Sequence, residues 1–261
     1  MSIVLTNKQG KNISYNSKAK SYRYYVDGEP KSSVTTDIGK RMDKGGLIFW
    51  TDQVKDQAIK RVMTQNKVPL DEINDFLKKV KQISEDIKVE ARDIGSTLHE
   101  WIDMYLKKKN PPLPSSEPLK TMCNKWLAWW QKQKFEIIES ELPVYSSKSD
   151  IAGCTDAIVT KPSWKGQKAL LDWKSSKDFY LDQVIQVETY KNFIEESTNH
   201  KIDKIAIVNI PKDPNKDLSM MVIKSDNKFY KGFKACRYLN KLDERWKKTV
   251  SKFKKEIKRN V

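Results

Sequence analysis

Cysteine and histidine are scarce in this chain of 261 residues: three cysteines and two histidines in all. Cys123, Cys154 and Cys236 are far apart and odd in number. That excludes a disulfide framework within the chain, a C-x-x-C metal site and a four-cysteine iron–sulfur cluster, and it fits free thiols in a reducing compartment. Long apolar runs are also missing. None approaches the roughly 20 residues that span a bilayer, so no membrane partner is expected. The opening residues carry no apolar region of leader type, and a secretory signal is not expected. Negative charge is the other deficit, with 34 Asp and Glu against 50 Lys and Arg and a net charge of +16. Such an excess points to a polyanionic partner, of which nucleic acid is the commonest.

The hydrophobic share of 38% is enough for a buried core, and its spacing is informative. Residues 12–35 read as a β-hairpin. Tyr22, Tyr24 and Val26 alternate with Arg23 and Tyr25, Asp27-Gly28-Glu29-Pro30 forms the turn, and Ser33-Val34-Thr35 resumes an extended run. Helical patterns fill 47–109. One is Ile73, Phe76, Leu77, Val80 and Ile83; a second is Ile94, Leu98, Trp101, Ile102 and Tyr105. The proline-rich stretch 110–116 ends them, and a tryptophan-bearing helix follows over 118–134. Strands are expected over 135–145, 150–160, 168–173, 203–210 and 219–224, with helices over 181–196 and 226 to about 258. The order implies an α/β fold, a mixed sheet core flanked by helices with an N-terminal hairpin and helical additions. The last stretch, 224–261, holds 14 Lys and Arg against 4 acids, a net of +10, and offers a phosphate-tracking face. Its apolar stripe (Leu239, Leu242, Trp246, Val250, Phe253, Ile257) is expected to pack.

Two charged positions break otherwise apolar strands. Asp156 ends Gly153-Cys154-Thr155-Asp156, and Asp172 opens Asp172-Trp173-Lys174. A carboxylate buried without a partner is costly. Side chains two apart on a strand share a face, so Asp172 and Lys174 project together, with Trp173 on the other side. If the two strands pair, the acids converge and repel unless a divalent cation lies between them, and hard oxygen ligands suit Mg2+ or Mn2+. Lys174 then stands where it can act on a water or a phosphate oxygen. Gln186 and Tyr190, four apart on the next helix, can reach the same place. Upstream, Gly95 lies one helical turn before His99.

These motifs, Gly-x-x-x-His (95–99), Gly-x-x-Asp (153–156), Asp-x-Lys (172–174) and Gln-x-x-x-Tyr (186–190), resemble in order and spacing the RecB-type branch of the PD-(D/E)XK nuclease superfamily. The resemblance covers about residues 95–196. The N-terminal Tyr25-Val26-Asp27-Gly28, Ser33-Val34-Thr35-Thr36, Lys44 and Trp50 are similar to the start of phage exonucleases and of the mitochondrial genome maintenance exonuclease, which extends it to about 225. The resemblance implies a restriction-endonuclease-like core and a single nuclease domain over 1–261, divided into a hairpin and helical elaboration (1–90), a core (91–225) and a basic helix (226–261). It implies a Mg2+- or Mn2+-dependent DNA exonuclease without an iron–sulfur cluster, acting on DNA ends or single strands in phage replication, recombination or repair. A cytoplasmic setting, bacterial or phage-infected, goes with it, and a recombination or replication protein is a candidate partner. Asp156, Asp172, Lys174, Gln186 and Tyr190 would be the catalytic set. His99, Asp156, Asp172 and the backbone carbonyl of Trp173 would hold the metal, with Glu141 and Glu100 as further candidates. Ser33, Thr35, Ser175, Ser176 and Lys177 would meet DNA. The alternatives are a structure-specific endonuclease of the same superfamily and an inactive DNA-binding module.

Overall fold

A computed structural model describes residues 2–17, 19, 22–42, 45–65 and 73–259, with the backbone alone given at 2, 3, 45–50, 63–65, 73, 258 and 259. Lys44, one of the residues carrying the N-terminal resemblance, lies outside the described residues, as does the side chain of Trp50. Among the described residues, no helix is long and apolar enough to cross a membrane.

The N-terminal segment forms four antiparallel strands in chain order: β1 (Ser2–Thr6), β2 (Asn12–Asn16), β3 (Tyr24–Val26) and β4 (Glu29–Lys31). The β3–β4 turn is only Asp27-Gly28. Both residues take positive φ, 49° and 84°, the left-handed geometry that a two-residue hairpin requires. Pro30 is therefore already in the return strand. The extended run expected at Ser33-Val34-Thr35 is instead the start of a short helix, α1 (Val34–Gly39). The reason is local: the Ser33 side chain accepts from the Thr36 N–H and caps the helix. This sheet is tied to the second one where the Ala152 N–H donates to the Ser32 carbonyl at 3.0 Å.

Helices α2 (Gly45–Gln65) and α3 (Ile73–Leu106) follow. The two apolar patterns read between 73 and 105 belong to one helix of 34 residues, because nothing between them breaks it. The first half of α3 buries Val80 against Ala58 and Val62 of α2, and the second half lays Leu98, Trp101 and Ile102 on the main sheet. Then come α4 (Leu119–Gln133), β5 (Glu136–Ser146), β6 (Ile151–Thr160), β7 (Ala169–Lys174), α5 (Leu181–Ser197), β8 (Lys204–Asn209), β9 (Ser219–Ile223) and α6 (Asn227–Arg259).

The main sheet has the order β5-β6-β7-β8-β9 and is mixed: β7 and β8 run parallel, joined by α5, and the other pairs are antiparallel. Strand alternation sends Ile158, Leu170, Ile205 and Ile207 to one face, under Phe193 of α5, Phe233 of α6 and Val34 of α1. Ala157, Leu171, Trp173 and Val208 go to the other, under α3 and α4. The Trp173 ring meets Trp126 edge-on there, with centroids 5.9 Å apart.

One expectation fails on α6. Its first half packs, and Arg237 reaches the buried Asp37 of α1 at 3.2 Å. The apolar stripe does not: Trp246 is 66% and Phe253 60% exposed, with Leu239, Leu242 and Ile257 also open. The stripe keeps a helical period, yet among the described residues no element is packed over it.

Candidate active site

The site forms where the β6–β7 ladder stops. Pairing runs Val159↔Ala169, Ile158↔Leu170 and Ala157↔Leu171, and ends there. The next residues in register are Asp156 and Asp172. Instead of a further rung, the Trp173 N–H donates to Asp156 Oδ2 at 2.7 Å, so a carboxylate takes up a sheet donor. Asp172 is buried, and Lys174 lies two residues on, its Nζ 2.5 Å from Asp172 Oδ2. Gln186 of α5 donates to Asp172 Oδ1 at 3.4 Å.

From the other side of the sheet edge, α3 brings in His99. Its Nδ1 lies 3.2 Å from Asp156 Oδ1. The approach depends on Gly95: a Cβ there would come within 3.3 Å of the Ser175 Oγ just beyond β7. Glu141 completes the group from β5. It has φ of 49°, the left-handed region, which costs about 1–2 kcal/mol in a residue with a Cβ. The ladder between Ser140↔Ala157 and Leu142↔Thr155 skips it. One ligand atom each from His99, Glu141 and Asp156 lie within 4.8 Å of one another. Asp172 is not in that trio; its oxygens face Lys174 and Gln186. Glu100, the other acid suggested as a ligand, is exposed and outside the cluster.

The electrostatics follow from burying so many charges together. Burial raises the Asp172 pKa to about 6 and, with the Asp156 charge, the Glu141 pKa to about 7. Burial also penalises the charge on Asp156, but His99, Lys174 and the Trp173 N–H outweigh it and hold its pKa below the ordinary value. Burial works against the His99 and Lys174 cations too. Asp156 overrides it for His99, and Asp172 and Asp156 for Lys174, so both pKa values are raised. Asp172 Oδ2 is buried and faces the Lys174 ammonium. Carboxylate oxygens and an imidazole are a donor set that suits a hard or borderline divalent cation.

The remaining sequence candidates are distributed as follows. Tyr190 is buried in the core under α5, and its ring fills the space above Gly153, where a Cβ would stand 2.4 Å from Tyr190 Cε1. Burial raises its pKa well above the usual value, so it is a neutral phenol. The Ser176 hydroxyl donates to the Asp178 carbonyl and accepts from Gln183 Nε2 at 3.0 Å, so Gln183 braces the loop after β7. Ser175 is half-buried against Gly95, and Lys177 is exposed. Ser33 sits opposite Ala152, four residues along β6 from Asp156 and about 13 Å away by strand rise. Its hydroxyl also meets those of Thr35 and Thr36, at 3.0 and 2.8 Å. A contact that the sequence did not reveal is that of Cys154, whose thiol donates to Glu141 Oε2 at 3.3 Å.

No family model matches the sequence, and no curated protein matches it. Among solved structures, a candidate exonuclease from Eubacterium rectale is similar over 57% of this chain and 65% of its own, just under two thirds of its length, at 15% identity and a TM-score of 0.38. SSO0001 is similar over 72% of this chain and 85% of its own, at 12% identity and a TM-score of 0.35. At these values the likenesses carry no argument about chemistry.

Proposed function

We propose that this protein is a DNA nuclease dependent on Mg2+ or Mn2+, acting as an exonuclease on DNA ends or single strands, with residues 1–261 as one nuclease domain. The observation that carries the reading is the meeting of Asp156, Asp172 and Lys174 where the β6–β7 ladder ends, beside the His99–Glu141–Asp156 trio. His99, Asp156, Asp172 and the Trp173 carbonyl would hold the ion, with Glu141 as a further ligand. When bound, the ion supplies Lewis acidity toward a phosphate oxygen and lowers the pKa of a nearby water. Lys174 offers an ammonium, fixed by Asp172, to charge developing on the phosphate. Gln186 orients Asp172, and Tyr190 fixes Gln186 from the core. Ser175, Ser176, Lys177 and the N-terminal Ser33 and Thr35 are proposed along the DNA path. The basic face of α6 adds nonspecific affinity for phosphate, and a recombination or replication protein is the proposed further partner.

The test is cleavage of end-labelled linear DNA and closed circular single strands with Mg2+, Mn2+ or chelator. Linear DNA is degraded with either metal, chelator stops it, and the circle survives. Cutting of the circle would mean endonuclease action; no metal-stimulated cutting of any substrate would remove the reading.

Metal binding should also depend on pH. Asp172 and Glu141 have raised pKa values, so the folded protein takes up protons there more readily than the unfolded chain. Their contribution to stability is present at low pH and lost as pH rises through about 6 to 7. The raised His99 pKa acts in the same direction. A metal ligand must be deprotonated, so cation and proton compete. Thermal melts of chelator-treated protein should show Mn2+ raising Tm at about pH 8, and by roughly half as much or less at about pH 6. An equal rise at both would show that these carboxylates do not hold the ion.

A further inference from the structure

Helix α6 carries a bare apolar face. Its stripe runs from Leu239 to Ile257, about 27 Å along the helix axis, and among the described residues no element packs over it. The two aromatic rings are the most open members of the stripe, Trp246 at 66% and Phe253 at 60% exposure, while the aliphatic members are more covered. Trp246 and Phe253 stand two helical turns apart, about 10 Å along the axis. A contiguous apolar face of this kind on a charged helix marks a place where something binds.

The edges of the stripe are basic. The helical period puts Lys247 and Lys254 along one edge and Arg245 and Lys252 along the other. On the first edge a hollow of about 520 Å3 is lined by Trp246, Val250, Lys247, Lys254 and Lys255. Asp243 is the acid in its lining, and it is taken up by Lys247 at 2.9 Å and Arg41 at 3.3 Å. Lys254 and Lys255 form no ion pair with a described carboxylate. The net of +10 over 224–261 sets lysine against lysine if a second copy lies along this face, so the charge selects a polyanion. A duplex keeps its base faces inside its own stack and offers phosphate alone. An unpaired strand offers phosphate to the lysines and a base to the indole, which answers both halves of the surface.

We propose that the outer half of α6 is a binding site for single-stranded DNA, with one base stacked on Trp246, a second on Phe253, and the phosphates between them held by Lys247, Lys254 and Lys255. The site goes beyond general attraction to phosphate, because the rings read whether a base is free to leave its stack. It therefore prefers an unpaired strand to a duplex. The proposal rests on the nuclease reading for its choice of DNA, and its test does not need turnover.

Affinity is measured by fluorescence anisotropy in chelator for a labelled oligothymidylate and for an abasic strand of the same length, which keeps every phosphate and lacks the bases. Trp246→Ala is expected to lose about fivefold or more on the base-bearing strand and about twofold or less on the abasic one. Trp246→Phe, which keeps a ring, should stay within about threefold of wild type, and Tm should be unchanged in both because the indole is exposed. Lys254→Gln with Lys255→Gln should weaken both strands and flatten the dependence of log affinity on log salt by about 1.4, or roughly 0.7 per lost contact. Trp246→Ala binding the base-bearing strand like wild type, or losing equally on both strands, overturns the site. A dimer seen in sedimentation and abolished by Trp246→Ala, with strand affinity unchanged, would give the face to a second copy instead. The base-dependent loss in a protein that never cuts DNA would leave the strand site standing and remove the nuclease reading; metal-dependent cutting without that loss would do the reverse.

Discussion

Asp172→Asn and Lys174→Met proteins should bind DNA within about threefold of wild type and cut it about a thousandfold more slowly or worse. The reasoning is one of charge at fixed shape. Asp172 is buried, with one oxygen against the Lys174 ammonium and the other accepting from Gln186. Asparagine keeps the volume and the Gln186 contact but removes the anion that a divalent ion would need. Methionine keeps the length of Lys174 and removes its charge. Because the partners are buried together, each single change leaves the other group unpaired, and a modest loss of stability goes with it. Single-turnover cleavage at saturating protein, read beside the binding isotherm, separates these effects. Cleavage within tenfold of wild type in either variant would take the catalytic centre away from these residues.

Gly153→Ala is expected to be the most damaging single methyl in the core of the protein. The added Cβ would stand 2.4 Å from Tyr190 Cε1, well inside contact distance. Tyr190 has little freedom to retreat, being buried among the α5 and sheet residues of one core cluster. Overpacking of this kind costs about 1–3 kcal/mol, and at the upper end Tm should fall by roughly 5–10 °C. Because Tyr190 lies beneath Gln186, cleavage should fall as well. Combining Gly153→Ala with Tyr190→Leu should give a loss smaller than the sum of the two single losses by about 1 kcal/mol or more, since leucine vacates the space the methyl needs. Differential scanning calorimetry of the four proteins reads this directly. A Gly153→Ala melt indistinguishable from wild type would show that Tyr190 does not press on β6.

The main sheet and its helices were legible in the sequence because periodicity is a local property. Apolar residues at spacings of three and four marked α3, and alternating or continuous apolar runs marked β5 to β9. Two N-terminal features also carry local signals. Ser2-Ile3-Val4-Leu5-Thr6 is a β-branched run ended by a Gly-containing turn, and it forms β1. Ser33 is a good helix cap, and α1 starts there rather than a strand. The stripe of α6 is exposed because a helical period sets which residues share a face, not whether another element covers it. At the site, the acids, the lysine and the histidine could be picked out by residue type and order. The left-handed backbone at Glu141 and the thiol contact from Cys154 depend on chain segments far apart in sequence, and no local pattern carries them.

Asp156 fills two posts at once. Its Oδ2 stands in for the missing rung of the sheet by accepting the Trp173 amide, while Oδ1 faces His99. Truncating it would strip a backbone donor of its acceptor at the end of β7 and slacken the strand that carries both Asp172 and Lys174. An alanine at 156 is thus a poor choice of inactive control, since dead chemistry and a loosened sheet end would look alike. Asparagine, able to offer a carbonyl oxygen to the same amide, is the substitution that isolates the charge.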